Sequence, residues 1–321
     1  MPSVLVAGGS GFIGSHLCES LLNQGYKVIC VDNLITGDEK NIEKLLKNPS
    51  FEFIKSDVSK EFSSLGSQFS TLDYIFHLAS PASPNKKSPK SYINYPIETL
   101  LANSAGTYNL LELAKQKGSA FLFASTSEVY GDPTVSPQTE EYFGNVNPNG
   151  IRSVYDESKR FGEAATMAYV RKYDINARII RIFNTYGPKM QKDDGRVVSN
   201  FINQAISNEK ITIYGDGKQT RSFCYIDDMV KGLEFMMFSK NTKGEVFNLG
   251  NPDERSISEL ASIIKKMTGS SSKISYEEIP KDDPKIRKPD ITKANKILDW
   301  KPKVKLEEGL KKTIDYFRNI N

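Results

Sequence analysis

Val4-Leu5-Val6-Ala7 runs directly into Gly8-Gly9-Ser10-Gly11-Phe12-Ile13-Gly14, and that junction admits very few folds. The apolar run reads as a buried strand, and Ile13, Leu17 and Leu21 mark a helix after it. Glycines at 8, 11 and 14 allow a tight turn and let the backbone approach a pyrophosphate, whose charge is met by the helix N-terminus. Further apolar runs at 28–31, 51–55, 74–78, 121–124 and 177–182 alternate with helical patterns. That alternation predicts an α/β fold with a Rossmann-type doubly wound parallel sheet.

After Ile182 the pattern loosens at Asn184-Thr185-Tyr186-Gly187-Pro188 and at the turn Asp193-Asp194-Gly195. Residues 197–206 and 256–268 read as helices, 211–214 as a strand and 281–289 as a charged loop. Leu306, Leu310, Ile314 and Phe317 mark a last amphipathic helix. The division expected is a dinucleotide-binding domain, 1–182 plus 219–250, and a smaller C-terminal α/β lobe, 183–218 and 251–321, that holds a substrate.

Composition narrows the function by exclusion. A net charge of +4 over 321 residues does not argue for nucleic acid, and it suits a site with a few cations for an anionic ligand. No apolar run approaches the roughly 20 residues that span a bilayer. Cys18, Cys30 and Cys224 lack metal-ligand spacing, and with only His16 and His77 beside them no metal site is expected. Few cysteines, and a Met1 that leads straight into the first strand, point to a cytoplasmic protein.

The cofactor expected is NAD, cradled by Gly8, Gly11, Phe12, Ile13 and Gly14. Asp32, followed by Asn33, ends the second strand, where a carboxylate accepts from ribose hydroxyls and repels a 2′-phosphate. Asp57 and Val58 are placed beside the adenine, with a helix N-cap the other reading of Asp57. Leu78, Ala79 and Ser80 are expected to line the nicotinamide side, and His77 to be a structural hydrogen-bonding residue.

The reacting groups follow the strand at 121–124. Ser125-Thr126-Ser127-Glu128-Val129-Tyr130-Gly131 puts hydroxyls and one carboxylate at a strand's carboxyl end, where open α/β sheets have their crevice. Tyr155 and Lys159, four apart on a helix, share a face and border the cofactor too. A phenol can take a proton, and an ammonium beside it can lower its pKa.

With those residues stated, the chain resembles the extended short-chain dehydrogenase/reductases that act on nucleotide sugars, over nearly its whole length. Within them it resembles the UDP-glucuronate decarboxylases. The resemblance is carried by GGSGFIG at 8–14, HLASPASP at 77–84, STSEVYGDP at 125–133, NPNG at 147–150, YDESK at 155–159, RIFNTYGP at 181–188, DGRVVSNF at 194–201 and RKPD at 287–290. It implies oxidation at sugar carbon 4 with Tyr155 as base and Thr126 on the same oxygen. Loss of the carboxylate from the 4-ketone and return of the hydride then give UDP-xylose.

Ser127 stands where the related 4,6-dehydratases carry an acid, and Glu128 where the 4-epimerases usually have a small residue. Other epimerases or dehydratases of the superfamily are the alternative. Glu128 is implied to orient the substrate carboxylate or water, or to relay a proton to carbon 5, against a purely structural role. Arg287 is implied to bind diphosphate or help protonate the enolate, against a surface cation in a charged loop. Asn184, Arg196 and Arg221 are implied diphosphate contacts, and Phe201 and Tyr214 either uracil neighbours or, equally, core aromatics; Pro81, Ser83, Val197 and Gln219 complete the expected substrate-binding set. A catalytically silent NAD-binding protein, serving as redox sensor or scaffold, is the rival from another class, and the set Thr126, Tyr155 and Lys159 argues against it.

Two stretches stay ambiguous. Ile97, Leu101, Ala105, Tyr108 and Leu111 form a stripe that is either core or the interface of a homodimer built as a four-helix bundle from 97–117 and 155–173. Residues 85–91, NKKSPKS, are a basic stretch longer than the resemblance leads one to expect; a solvated insertion is preferred to a lid over substrate.

Overall fold

The computed structural model describes residues 1–60, 69–278 and 286–320. Six strands follow one another through the first half: β1 (Ser3–Ala7), β2 (Lys27–Asp32), β3 (Phe51–Lys55), β4 (Tyr74–His77), β5 (Ala120–Thr126) and β6 (Ala177–Ile182). A further strand, Val246–Leu249, joins them in a seven-stranded sheet ordered Val246–Leu249, β6, β5, β4, β1, β2, β3, with every pairing parallel.

Side chains alternate across that sheet, so each face has its own core. Val4, Val6, Val28, Cys30, Phe76 and Leu122 point to one side, where Leu17 and Leu21 of helix Phe12–Asn23 and Leu233 of helix Ile226–Phe238 meet them. Leu5, Ala7, Ile29, Ile75, Phe121 and Phe123 point to the other, under Leu110 and Leu111 of helix Ala105–Lys117 and Met167 of helix Ser153–Tyr173.

This register positions the site. Ala7 pairs with His77, and His77 with Phe123, so β1, β4 and β5 end side by side. The glycine turn, residues 78–80 and the Ser125 segment therefore emerge along one rim. β1 has β2 on one side and β4 on the other, the reversal of strand order at which open sheets bind ligands.

The expected stripe at 97–117 is two helices, Pro96–Asn103 and Ala105–Lys117, broken at Ser104 (φ −106°, ψ −77°). Ser104 Oγ donates to Leu100 O at 2.6 Å and Asn103 Nδ2 to Thr99 O at 3.1 Å, side-chain bonds that compete for helix carbonyls. The break brings Gly106 against Val58, where a Cβ would lie 2.9 Å from a valine methyl. Of the stripe only Leu111 is core; Ile97, Leu101 and Tyr108 are exposed.

Beyond β6 come helix Val197–Ile206, strand Ile211–Tyr214 paired in parallel with Ile274–Glu277, and helix Ile257–Thr268, close to expectation. The last of these starts at a capping box between Ser256 and Glu259. Leu306, Leu310, Ile314 and Phe317 bury one face of helix Leu306–Ile320. Of the expected loop at 281–289, residues 281–285 lie outside the described residues; from there the chain pairs Pro289 with Gln138.

Candidate active site

The glycine turn makes the cofactor cradle. Gly8 takes φ +82°, and a Cβ on Gly14 would sit 2.1 Å from Gly8 O. Only hydrogen fits at either position, so the backbone folds flat under the start of helix Phe12–Asn23. Gly8, Gly11, Phe12, Ile13 and Gly14 line one cavity together with Tyr155 and Lys159.

A second cavity opens from the first past Gly8 and Gly11, and Asp32, Asn33, Asp57 and Val58 line it. Asp32 accepts from Ser10 N at 3.0 Å and Leu34 N at 2.9 Å, bonds that aim the carboxylate; its burial raises the pKa against these donors. Asp57 Oδ1 accepts from Ser59 N at 2.9 Å, as an N-cap side chain would, and still borders the cavity. Leu78, Ala79 and Ser80 lie here too, with Leu78 and Ser80 shared by both cavities. A pyrophosphate-sized cradle with an aimed carboxylate at the far end fits a dinucleotide. Pro81, expected on the substrate side, lines this second cavity, while Ala82, Ser83 and Pro84 line the first.

His77 is fully buried and bonds Thr107 Oγ1 at 3.1 Å; burial drives its pKa down to about 3, and it lines no cavity described above. It is a structural residue, as expected.

At the end of β5, Thr126 caps a short 3₁₀ turn, Ser127–Tyr130, accepting from Glu128 N at 3.3 Å. That turn points Glu128 into the crevice. Thr126 and Tyr155 line the same cavity, and the Thr126 hydroxyl works to lower the phenol's pKa. Lys159, 3% exposed, donates to Ala124 O at 2.7 Å.

The chain's own groups leave the phenol high. Burial pushes Tyr155 up to about 12, against the Thr126 hydrogen bond. Burial likewise lowers Lys159 to about 7. One ammonium N–H goes to a backbone carbonyl, and the lowering of the phenol expected from Lys159 is one it shares with the nicotinamide's positive charge.

Glu128 lies between two guanidiniums. Arg152 Nη2 bonds its Oε2, and Arg287 Nη2 reaches the same oxygen at 3.1 Å. Burial alone would raise this carboxyl, but Arg287 and then Arg152 overcome it and hold it at about 2. Glu128 is thus an anion at neutral pH. Arg287 is 2% exposed and also donates to Ser127 O, which excludes the surface-cation reading. Asp156, beside Tyr155, is raised to about 8 by burial and by Glu128.

The third cavity, about 730 Å³, falls within the usual range of roughly 300–1,000 Å³ for small-molecule sites. Asn184 and Arg196 border both it and the reaction cavity, while Val197, Phe201, Tyr214, Gln219, Arg221 and Arg287 line it alone. Gln219 Nε2 is turned to Tyr214 O at 2.5 Å, and Arg196 Nε to Asp194 Oδ1 at 3.0 Å. Ser83 is buried at the edge of the reaction cavity and donates to Asp194 O.

Sequence reasoning missed two residues. Arg152 has no motif signal beyond standing three residues before Tyr155. Tyr92, 1% exposed, stacks on the Tyr155 ring with centroids 4.9 Å apart and planes 5° apart, and it follows a stretch read as solvated. In 85–91, Lys86, Lys87 and Pro89 are exposed, as a solvated insertion would have them, while Ser88 and Ser91 are buried and Asn85, Lys86 and Lys87 line the third cavity. Ser91 Oγ donates to Ser83 O at 2.9 Å and Asn94 Nδ2 to Ser88 O at 2.7 Å, tying the stretch to the site wall.

Parallel sheet, glycine cradle, aimed acid and Tyr–Lys pair define a dinucleotide-dependent enzyme of the short-chain dehydrogenase type. The chain belongs to the NAD dependent epimerase/dehydratase family, whose model matches residues 4–250. It is 50% identical over 315 residues to UDP-glucuronic acid decarboxylase 1 of Xenopus tropicalis, covering 98% of this chain and 72% of that one. It is 48% identical over 316 residues to UDP-glucuronic acid decarboxylase 1 of Arabidopsis thaliana, covering 98% and 70%. Among solved structures it is similar to UDP-glucuronic acid 4-epimerase from Bacillus cereus in complex with UDP-glucuronic acid and NAD (TM-score 0.87, 31% identity, 99% of this chain and 100% of that one).

Proposed function

We propose that the protein is a UDP-glucuronate decarboxylase that forms UDP-xylose through a 4-keto sugar. The observation that carries this is Glu128, held as an anion between Arg152 and Arg287 at the mouth of the Tyr155 crevice, with Ser127 beside it. A serine is too weak an acid to expel a 6-hydroxyl, and a 4-epimerase has no need of a carboxylate fixed there.

NAD supplies the acceptor, and later the donor, of the hydride at carbon 4. Tyr155 takes the proton of the 4-hydroxyl, and the cofactor's cationic ring provides the lowering of the phenol that the chain alone does not. Thr126 holds the same oxygen. The substrate's carboxylate lies β to the resulting ketone, so carbon dioxide leaves while the bonding electron pair stays on the sugar, delocalised onto the ketone oxygen; a proton taken up at carbon 5, return of the hydride to carbon 4 and return of the proton from Tyr155 to the 4-oxygen then give UDP-xylose. Glu128, ionised, orients groups at carbon 5 rather than giving up a proton of its own, and Arg287 faces the enolate charge. Arg196 and Arg221 suit the diphosphate; Phe201 and Tyr214 border the uracil.

Purified protein incubated with UDP-glucuronate and NAD is expected to yield a UDP-pentose by mass spectrometry, lighter than substrate by one carbon dioxide. A product of unchanged mass would turn the assignment to epimerisation, and loss of water to dehydration.

The reading includes a cytoplasmic homodimer. Ile97 (60% exposed), Leu101 and Tyr108 on the split helices, with Phe161 (51%) on Ser153–Tyr173, form an apolar face that suits a four-helix bundle with a second copy. Leu101→Glu is expected to convert dimer to monomer in light scattering after gel filtration; a monomeric parent protein would sink the idea.

A further inference from the structure

Residues 85–91 are used by none of the chemistry above, yet they are fixed against the site wall. Lys90 is their one half-buried side chain on the wall of the first cavity, which Gly8, Gly11, Gly14, Thr36 and Gln191 also line. Its Nζ stands 3.5 Å from Gly37 O, and its charge acts on the Asp32 carboxylate. From the opposite side, Gln191 Nε2 donates to Thr36 O. Thr36 borders both halves of the cofactor site. Residues 36 and 37 are therefore fastened across the dinucleotide crevice from two remote segments, 85–91 and 187–196.

We propose that Lys90 and Gln191 form a clasp over the dinucleotide that makes NAD a resident cofactor. The glycine turn and the helix N-terminus meet the pyrophosphate with partial charges only, about half an elementary charge. A lysine in the same cavity adds a full one, on a flexible stem that can follow the phosphates. Gln191 holds Thr36 down, so the cofactor cannot lift out without breaking both contacts. The inference rests on the cofactor alone and stands whichever sugar reacts.

The test is release of NAD. Protein loaded with adenine-labelled ¹⁴C-NAD is chased with excess unlabelled NAD, and retained label is followed by filtration. Lys90→Gln is expected to release label roughly tenfold faster, the worth of about one partly screened charge contact, and Gln191→Ala roughly fivefold faster, the worth of about one hydrogen bond. Lys90→Arg keeps charge and reach and should release slowly. Salt should speed release from the parent protein more than from Lys90→Gln. Unaltered melting of the NAD-free variants separates a lost clasp from a damaged fold. Release from Lys90→Gln at the parent rate overturns the proposal, as does equal acceleration in Lys90→Arg. If Lys90→Gln does not fold, Gln191→Ala decides by the same criterion.

Discussion

Tyr155→Phe is expected to lower kcat by about 10²–10⁴-fold, the span for losing a positioned acid–base group, while NAD stays bound. The substitution removes one oxygen and keeps the ring, so the stack on Tyr92 persists and the fold is undisturbed. Lys159 keeps its bond to Ala124 O, and the glycine cradle is untouched. The measurement pairs product formation with cofactor absorbance after gel filtration. Near-normal turnover would remove Tyr155 as the base. Loss of NAD together with activity would make its role structural.

The second large effect concerns Glu128. Glu128→Ala leaves Arg287, 2% exposed, without its carboxylate, and breaking a buried pair in this way costs about 3–5 kcal/mol. A fall in denaturant midpoint of matching size is expected. The group's pKa is about 2 in the folded chain, below its ordinary 4.5. Its stabilising contribution is therefore complete above pH 4.5 and is lost as the pH falls from 4.5 towards 2, a dependence the alanine variant should lack. Carbon dioxide release should slow by about 10²–10³-fold, the scale of a lost electrostatic group, with UDP affinity changed far less. Glu128→Gln, which keeps the shape, should recover part of the stability and little of the rate. Unaltered carbon dioxide release in either variant would confine Glu128 to a structural role.

What could be read in advance was whatever periodicity or spacing encodes. Val4 to Ala7, Phe121 to Ala124 and their neighbours are continuous apolar runs because both faces of the sheet are covered, and such runs are visible without a structure. The glycines at 8, 11 and 14 and the interval from Tyr155 to Lys159 are local, and so were legible too. Long-range meetings were not. Nothing marks Arg152 among the chain's many cations until the 3₁₀ turn aims Glu128 at it. The break at Ser104 escaped notice because serine is tolerated inside helices, and the approach of Gly106 to Val58 that the break permits lies between distant segments. Residues 85–91 looked solvated because lysines dominate them, while the serines between those lysines are what the fold buries.

Arg287 meets Glu128 across 159 positions of chain. A ribosome releases those positions in order, so a growing chain possesses its tyrosine, lysine and glutamate well before the arginine has been translated. The sheet, by contrast, has its last strand by Leu249. Synthesis thus finishes the dinucleotide's berth before the reaction centre, and a nascent polypeptide is equipped to take on its cofactor at a stage when it has no complete apparatus for breaking a carbon–carbon bond.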